Sequence, residues 1–289
     1  MIFGEAMKTE RGSDRRKNGL LKELTEELED SEISRESGAS VFIKVGIVVL
    51  SIMLVIGFGI MIVPNAVTVS NISSKRDMPI YSVNIQDRKV ALTFDIDTGS
   101  EGIQSILDTL AKHNIKGTFF LTGGWVEKYP EDVKAIVKAG HDIGNHSEKH
   151  LQMSQLNHQE CTEDILKVHD RVKELTGIDM NLFRAPYGEY NNLLVGTARE
   201  CGYDTIQWDV DSEDWKDYGT DSIIKSVVDN KHLGNGSIIL LHCGTKYTAE
   251  ALKDVITGLQ EKGYEIVPVS KLIYTGKYTV DGTGRQYAR

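Results

Sequence analysis

Between residues 89 and 269 the chain alternates strand-like and helix-like runs, and this rhythm restricts its fold more than any other feature. Strand patterns cover 90–97, 117–122, 141–145, 181–185, 204–210, 237–242 and 265–269. Helical stripes fill the gaps. Ile103, Ile106, Leu107 and Leu110 repeat at i, i+3, i+4 and i+7, the spacing of one buried helix face. Asn157 with Glu160 reads as a capping box, opening a helix that carries Ile165, Leu166, Val172 and Leu175 and stops at Gly177. Leu252, Val255, Ile256 and Leu259 form another stripe, closed by Gly263. Seven strands alternating with about six helices predict a parallel β/α architecture. A doubly wound sheet would bring a glycine-rich nucleotide loop after its first strand, and no G-x-G-x-x-G follows 90–97. The alternative is a barrel, one strand short of the standard eight.

Outside this region the chain changes character. Residues 45–63 carry no charge; at about 1.5 Å per residue they span roughly 28 Å, the thickness of a bilayer's hydrocarbon core. The expectation is a single transmembrane helix after a polar tail (1–44) and before a linker (64–88), a catalytic domain (89–275) and a C-terminal tail (276–289). The tail holds Lys8, Arg11, Arg15, Arg16, Lys17 and Lys22, which places it on the cytoplasmic side and the large domain outside. A net charge of −9 disfavours a nucleic-acid partner. Three widely spaced cysteines, Cys161, Cys201 and Cys243, make neither a disulfide framework nor a zinc-knuckle spacing.

The chemistry-bearing residues collect at the C-terminal ends of the expected strands. Asp95 and Asp97 end the first, His146 and His150 follow the third, Arg184 ends the fourth, Asp209 to Trp215 follow the fifth, and His242 ends the sixth. That is the face on which β/α barrels build active sites. A helical turn after Asn145 would bring His146 and His150 onto one side, about 5–6 Å apart. With Asp97 they would form a two-histidine, one-carboxylate set for a divalent metal; alternatively Asp97 is a turn residue before Gly99. Asp95 is then free to act as a base, oriented by Arg184. His242 suits the acid, with Asp214 to keep it protonated; strand-end packing and loop capping are the other readings of this pair. Tyr187, Trp208 and Trp215 stand near the same mouth. Metal, base and acid around an open position describe hydrolysis of an amide or ester.

Five segments, in order, resemble the motifs of the polysaccharide deacetylases, carbohydrate esterase family 4: 93–95 (TFD), 146–150 (HSEKH), 184–188 (RAPYG), 211–215 (DSEDW) and 240–242 (LLH). The resemblance implies a distorted (β/α)7 barrel and removal of acetyl groups from N-acetylated sugars. It implies a divalent metal, zinc first with Co2+ or Mn2+ as alternatives, on Asp97, His146 and His150. Asp95 resembles the base and His242 the acid, with Arg184 and Asp214 supporting them. Tyr187 resembles the residue whose N–H stabilises the oxyanion, and Trp215 a groove wall. In the family's first motif two aspartates are adjacent, whereas here Ile96 separates them. The expected substrate is a cell-wall polysaccharide, peptidoglycan N-acetylglucosamine or N-acetylmuramic acid, met by a membrane-anchored enzyme outside the cell membrane. Two alternatives accompany it: an amidohydrolase of small cyclic amides or imides, and a metal-free, inactive sugar-binding protein.

Overall fold

The structure is a computed structural model that describes residues 76–289; the polar tail, the apolar run at 45–63 and the first part of the linker lie outside the described residues. Among the described residues no helix is long and apolar enough to cross a membrane. In chain order the elements are β1 (Ser82–Val83), β2 (Lys89–Ile96), α1 (Ile103–Lys112), β3 (Thr118–Leu121), α2 (Gly123–Lys128), α3 (Pro130–Lys138), β4 (Asp142–Asn145) and α4 (His158–Thr176). There follow β5 (Leu182–Phe183), α5 (Asn192–Glu200), β6 (Asp204–Thr205), β7 (Val210–Asp211), α6 (Thr220–Val228), β8 (Ile238–His242), α7 (Thr248–Glu261), β9 (Glu265–Ile266), α8 (Val269–Leu272), β10 (Tyr278–Val280) and β11 (Arg285–Ala288).

The main sheet runs β6-β5-β4-β3-β2-β8-β7, with β9 pairing β2, and its pairings are parallel. Side-chain parity divides each strand into two faces. Leu92, Phe94 and Ile96 of β2, with Phe119, Leu121, Ile239 and Leu241, pack under the helices. Ala91, Phe120, Leu182, Ile206, Ile238 and Val269 fill the opposite, inner face. The same parity carries Asp95, Arg184 and His242 inward, because each follows an inner-face residue by two or four positions. Gly144 makes room for this layer: a Cβ there would stand 2.6 Å from the Phe120 ring.

The single strand expected at 204–210 is instead two short ones at opposite edges of the sheet. β6 pairs β5 and β7 pairs β8, so the four residues between them bridge the barrel's seam. Ile80 enters this seam, its N–H donating to Thr205 O at 2.8 Å and its carbonyl accepting from Gln207 N at 2.7 Å. A backbone whose polar groups are met by another segment has no ladder left to continue, which is why the strand breaks. The sheet is a parallel half-barrel, consistent with a distorted (β/α)7 barrel in which one strand is divided across the opening.

Other boundaries also shift. Part of the expected linker belongs to the fold, since Ile80 and Val83 are buried. The expected tail 276–289 contains a hairpin, β10 and β11, that joins β1 in a separate three-stranded sheet. The last strand stops at Ile266, and α8 begins at Val269 behind Pro268. Helix α4 has the predicted capping box and left-handed Gly177, but Leu166 is exposed and Cys161 and Val168 take its place in the core. All three cysteines are free.

Candidate active site

The strand ends open onto a cavity of about 490 Å³ lined by Asp95, Asp97, His146, His150, Tyr187, Trp208, Asp211, Trp215 and His242 among others. Asp95 faces His242 across the β2–β8 register and Phe120 across the β2–β3 register. Its Oδ1 accepts from Arg184 Nη1 at 2.7 Å. Arg184 is fully buried, stacked on the Phe120 ring at 4.2 Å and facing Trp208 at 5.4 Å, and donates its Nη2 to Gln207 O at 3.2 Å. Burial pushes the Asp95 carboxyl up, but the Arg184 guanidinium, helped by His146 and His242, overcomes it and holds the group below the usual carboxylate range. Asp95 is therefore an anion at neutral pH.

His242 is the second pre-paired group. Its Nδ1 meets Asp214 Oδ1 at 2.7 Å, while Asp214 Oδ2 accepts from the His242 backbone N–H at 2.7 Å and from Thr248 Oγ1 at 2.6 Å. With Asp214 held at Nδ1, Nε2 is the nitrogen left to serve the cavity. Burial works against the charged ring, and the Asp214 carboxylate more than compensates, so the imidazole titrates above its ordinary value. Asp211 shapes the preceding loop, its Oδ1 accepting from Glu213 N at 2.8 Å and its Oδ2 from Trp208 Nε1 at 3.2 Å. Trp208 is half-buried. Trp215 and the Tyr187 ring are exposed at the rim, and Tyr187 sits in the left-handed region with φ 61°.

The histidine segment is not helical. It is a loop in which Ser147 has φ 72° and His150 φ 54°, conformations that residues other than glycine adopt rarely. The two rings still meet, with centroids 4.9 Å apart, and Tyr187 packs on His150 at 4.5 Å. His146 Nδ1 lies 2.8 Å from Arg184 O, an acceptor only, so Nδ1 carries the proton. Nε2 is then the lone-pair nitrogen, 3.5 Å from Asp95 Oδ2. Burial pushes the His146 ring below its ordinary pKa and keeps it neutral, the form that ligates metals.

Asp97 lies one residue past the end of β2, exposed, with Oδ1 accepting from Thr98 Oγ1 at 3.1 Å. It continues the inward parity of Asp95, whereas Ile96 points under the helices and is fully buried. Two imidazoles and two carboxylates around one cavity are donor chemistry that fits a divalent cation. Among the described residues, however, no three His, Cys, Asp or Glu side chains close on one common point.

Thr248, Gln207 and Phe120 support this site without any signal in the sequence. Each lies outside the five motifs, and each reaches the site only through the fold. Trp208 was visible as an aromatic near the mouth, although not as a neighbour of Arg184.

Comparison with known proteins identifies the family. A family model described as polysaccharide deacetylase matches residues 82–206. The chain is 37% identical to the peptidoglycan-N-acetylglucosamine deacetylase PgdA of Listeria monocytogenes over 70% of its own length and 41% of that protein. It is 32% identical to the peptidoglycan-N-acetylmuramic acid deacetylase PdaA of Bacillus subtilis, over 67% of this chain and 74% of that one. Among solved structures, wild-type BA3943 of Bacillus anthracis, a CE4 family pseudoenzyme, superposes with TM-score 0.65 and 34% identity, covering 67% of this chain and 68% of that one. The chain spans 41% to 63% of the length of several curated relatives it matches. It belongs to the polysaccharide deacetylase family, carbohydrate esterase family 4.

Proposed function

We propose that the chain is a metal-dependent N-deacetylase of peptidoglycan, acting on N-acetylglucosamine or N-acetylmuramic acid units. The observation that carries this reading is a pre-paired carboxylate and imidazole: Asp95 held by Arg184 and His242 held by Asp214, both lining one cavity. Asp95 takes a proton from the attacking water as its oxygen bonds to the acetamide carbon. When the C–N bond breaks, the departing amine takes a proton from His242 Nε2, and acetate and the free amine leave. The backbone N–H of Tyr187 is our candidate donor to the oxyanion.

His146 and His150 would hold the metal together with Asp97, zinc being the first candidate. When bound, such a cation supplies Lewis-acid polarisation of the amide carbonyl. The exposed rings of Tyr187 and Trp215 at the rim suit the faces of sugars in an extended polymer. Residues 45–63 would anchor the chain in the cell membrane with this domain outside, facing the wall.

The test is acetate release from purified peptidoglycan, together with metal content of the protein by mass spectrometry. Acetate release that is lost on chelation, restored by Zn2+ and abolished in His146→Ala is the expected outcome. A protein that binds Zn2+ or sugar but releases no acetate would move the chain to the non-catalytic state of BA3943. Protease accessibility of the domain on intact cells stripped of wall tests the topology.

A further inference from the structure

One face of helix α4 grips the loop that carries both histidines. Asp164, Lys167 and Arg171 stand at i, i+3 and i+7, so they line the same side of the helix. Asp164 Oδ1 accepts from the Glu148 backbone N–H at 3.0 Å, and its Oδ2 accepts from Ser147 Oγ at 3.2 Å. Glu148, 7% exposed, turns back toward the helix. Its Oε2 accepts from Arg171 Nη1 at 2.6 Å and its Oε1 from Arg171 Nη2 at 3.0 Å, a two-pronged pairing, and Lys167 Nζ adds a contact at 2.9 Å. Burial pushes the Glu148 carboxyl up, yet Arg171 and Lys167 hold it below its ordinary value.

The opposite side of the loop is held by α2. Gly123 N donates to Ser147 O at 2.9 Å and Gly124 N to Glu148 O at 3.0 Å. A Cβ at Gly123 would meet Glu148 Oε2 and Arg171 Nη1, so any larger residue there would have to displace this ion pair. Residues 147 and 148 are thus fixed from two sides at the point where the backbone turns left-handed, between His146 and His150. Strained φ values persist only where the surroundings over-determine them.

We propose that Asp164, Lys167 and Arg171 are positioning residues. Through Glu148 and Ser147 they impose the left-handed turn that brings the His146 and His150 rings together over Asp95. None of the three touches the cavity, and none lies in the five motifs. Their effect on turnover rests on the deacetylase reading above; the grip on the loop does not.

The experiment compares Arg171→Met, Arg171→Lys and the double variant Glu148→Gln/Arg171→Met with the wild-type chain. Amide hydrogen exchange is read at Gly123, Gly124 and Glu148, with β2 amides as the internal reference. Arg171→Met should speed exchange at those three amides about tenfold or more while β2 stays unchanged, and Arg171→Lys should restore most of the protection. In the acetate assay Arg171→Met should lower kcat about 10–100-fold with KM within about twofold, again partly rescued by lysine. The double variant removes the unpaired carboxylate and keeps a folded protein in hand should Arg171→Met alone unfold.

Loop amides that exchange at the wild-type rate in both Arg171→Met and the double variant would overturn the proposal. So would a kcat loss no larger than the loss of folded protein. A wild-type chain that releases no acetate would remove the deacetylase reading, and the exchange arm would still decide the grip.

Discussion

The two halves of the cavity are built differently. On the acid–base side, Asp95 and His242 each meet a partner of opposite charge at 2.7 Å. Arg184 and Asp214 are buried, and both active groups ride on strands. On the imidazole side, His146 is buried but His150 sits on a loop, and Asp97 stands exposed beyond its strand. Folding alone therefore biases Asp95 towards the carboxylate and His242 towards the imidazolium, the states the proposed base and acid need. The side proposed to hold the cation depends on a gripped loop and a rim carboxylate. One half behaves as part of the core, and the other as a surface feature tied down from beneath.

If that contrast is right, the largest losses come from the core half. Asp95→Asn and His242→Asn should each lower kcat about 10²–10⁴-fold, the ordinary weight of a general base or acid, with little change in metal content. Kinetics on acetylated chitooligosaccharide alongside metal analysis checks both. A parallel loss of metal in Asp95→Asn would mean that Asp95, 3.5 Å from His146 Nε2, serves the cation as well as the proton.

Arg184→Met follows, with stability as the readout. It leaves Asp95 ionised, buried and unpaired, a change that costs about 3–5 kcal/mol. Because Asp95 is depressed in the folded state, the pair's stabilisation is present above the unfolded carboxylate value of about 3.9 and is lost as pH falls through the folded value. The gap between wild type and Arg184→Met in urea unfolding should therefore close under acid and be widest near neutrality. A variant as stable as wild type at pH 7 would show that Asp95 is neutral there.

Much of this contrast was legible before folding, because it is written in parity. The pattern Asp95-Ile96-Asp97 reads in, out, in, and the structure buries Ile96 under the helices while Asp95 faces the cavity. Arg184 and His242 follow their inner-face neighbours Leu182, Ile238 and Leu240 in the same way. What parity does not carry is where a ladder ends. Nothing local at 204–210 announces that Ile80, over a hundred residues earlier, takes the hydrogen bonds that would have continued the strand. The hairpin at 278–288 was missed for a related reason: it pairs with Ser82 and Val83, which a linear reading assigns to a linker. At 146–150 the H-x-x-x-H spacing fits a helical turn, whereas the chain forms a loop with left-handed Ser147 and His150. The grip from Asp164 and Arg171 that enforces the other backbone lies in a different helix.

Asp214→Asn should have an intermediate effect, about 10–100-fold in kcat/KM, and a diagnostic pH shift. The folded His242 titrates above its unfolded value of about 6.5. The stability contributed by its pairing is fully present below that value and disappears as pH rises through the raised folded one. Activity that needs the imidazolium falls over the same range. Removing the Asp214 charge leaves burial, which favours the neutral ring, opposed only by the smaller contributions of Asp95 and Asp211, so the basic limb of the kcat/KM profile should move to lower pH. A limb that stays in place would assign it to a group other than His242.

The smallest effect belongs to the rim. His146 is 2% exposed and oriented by Arg184 O at 2.8 Å, so His146→Gln removes a donor whose position folding has already fixed. Asp97 is exposed, and its hydrogen bond goes to the neighbouring Thr98 hydroxyl. Water competes for such a carboxylate, and ordering it on a cation costs side-chain freedom that His146 has already given up on folding. Calorimetric titration with Zn2+ should therefore rank the variants. His146→Gln should lose binding by about 100-fold or more, whereas Asp97→Asn should weaken it about tenfold or less. Equal losses would make Asp97 a full ligand drawn in on binding, and the cation side would then be as firmly built as the acid–base side.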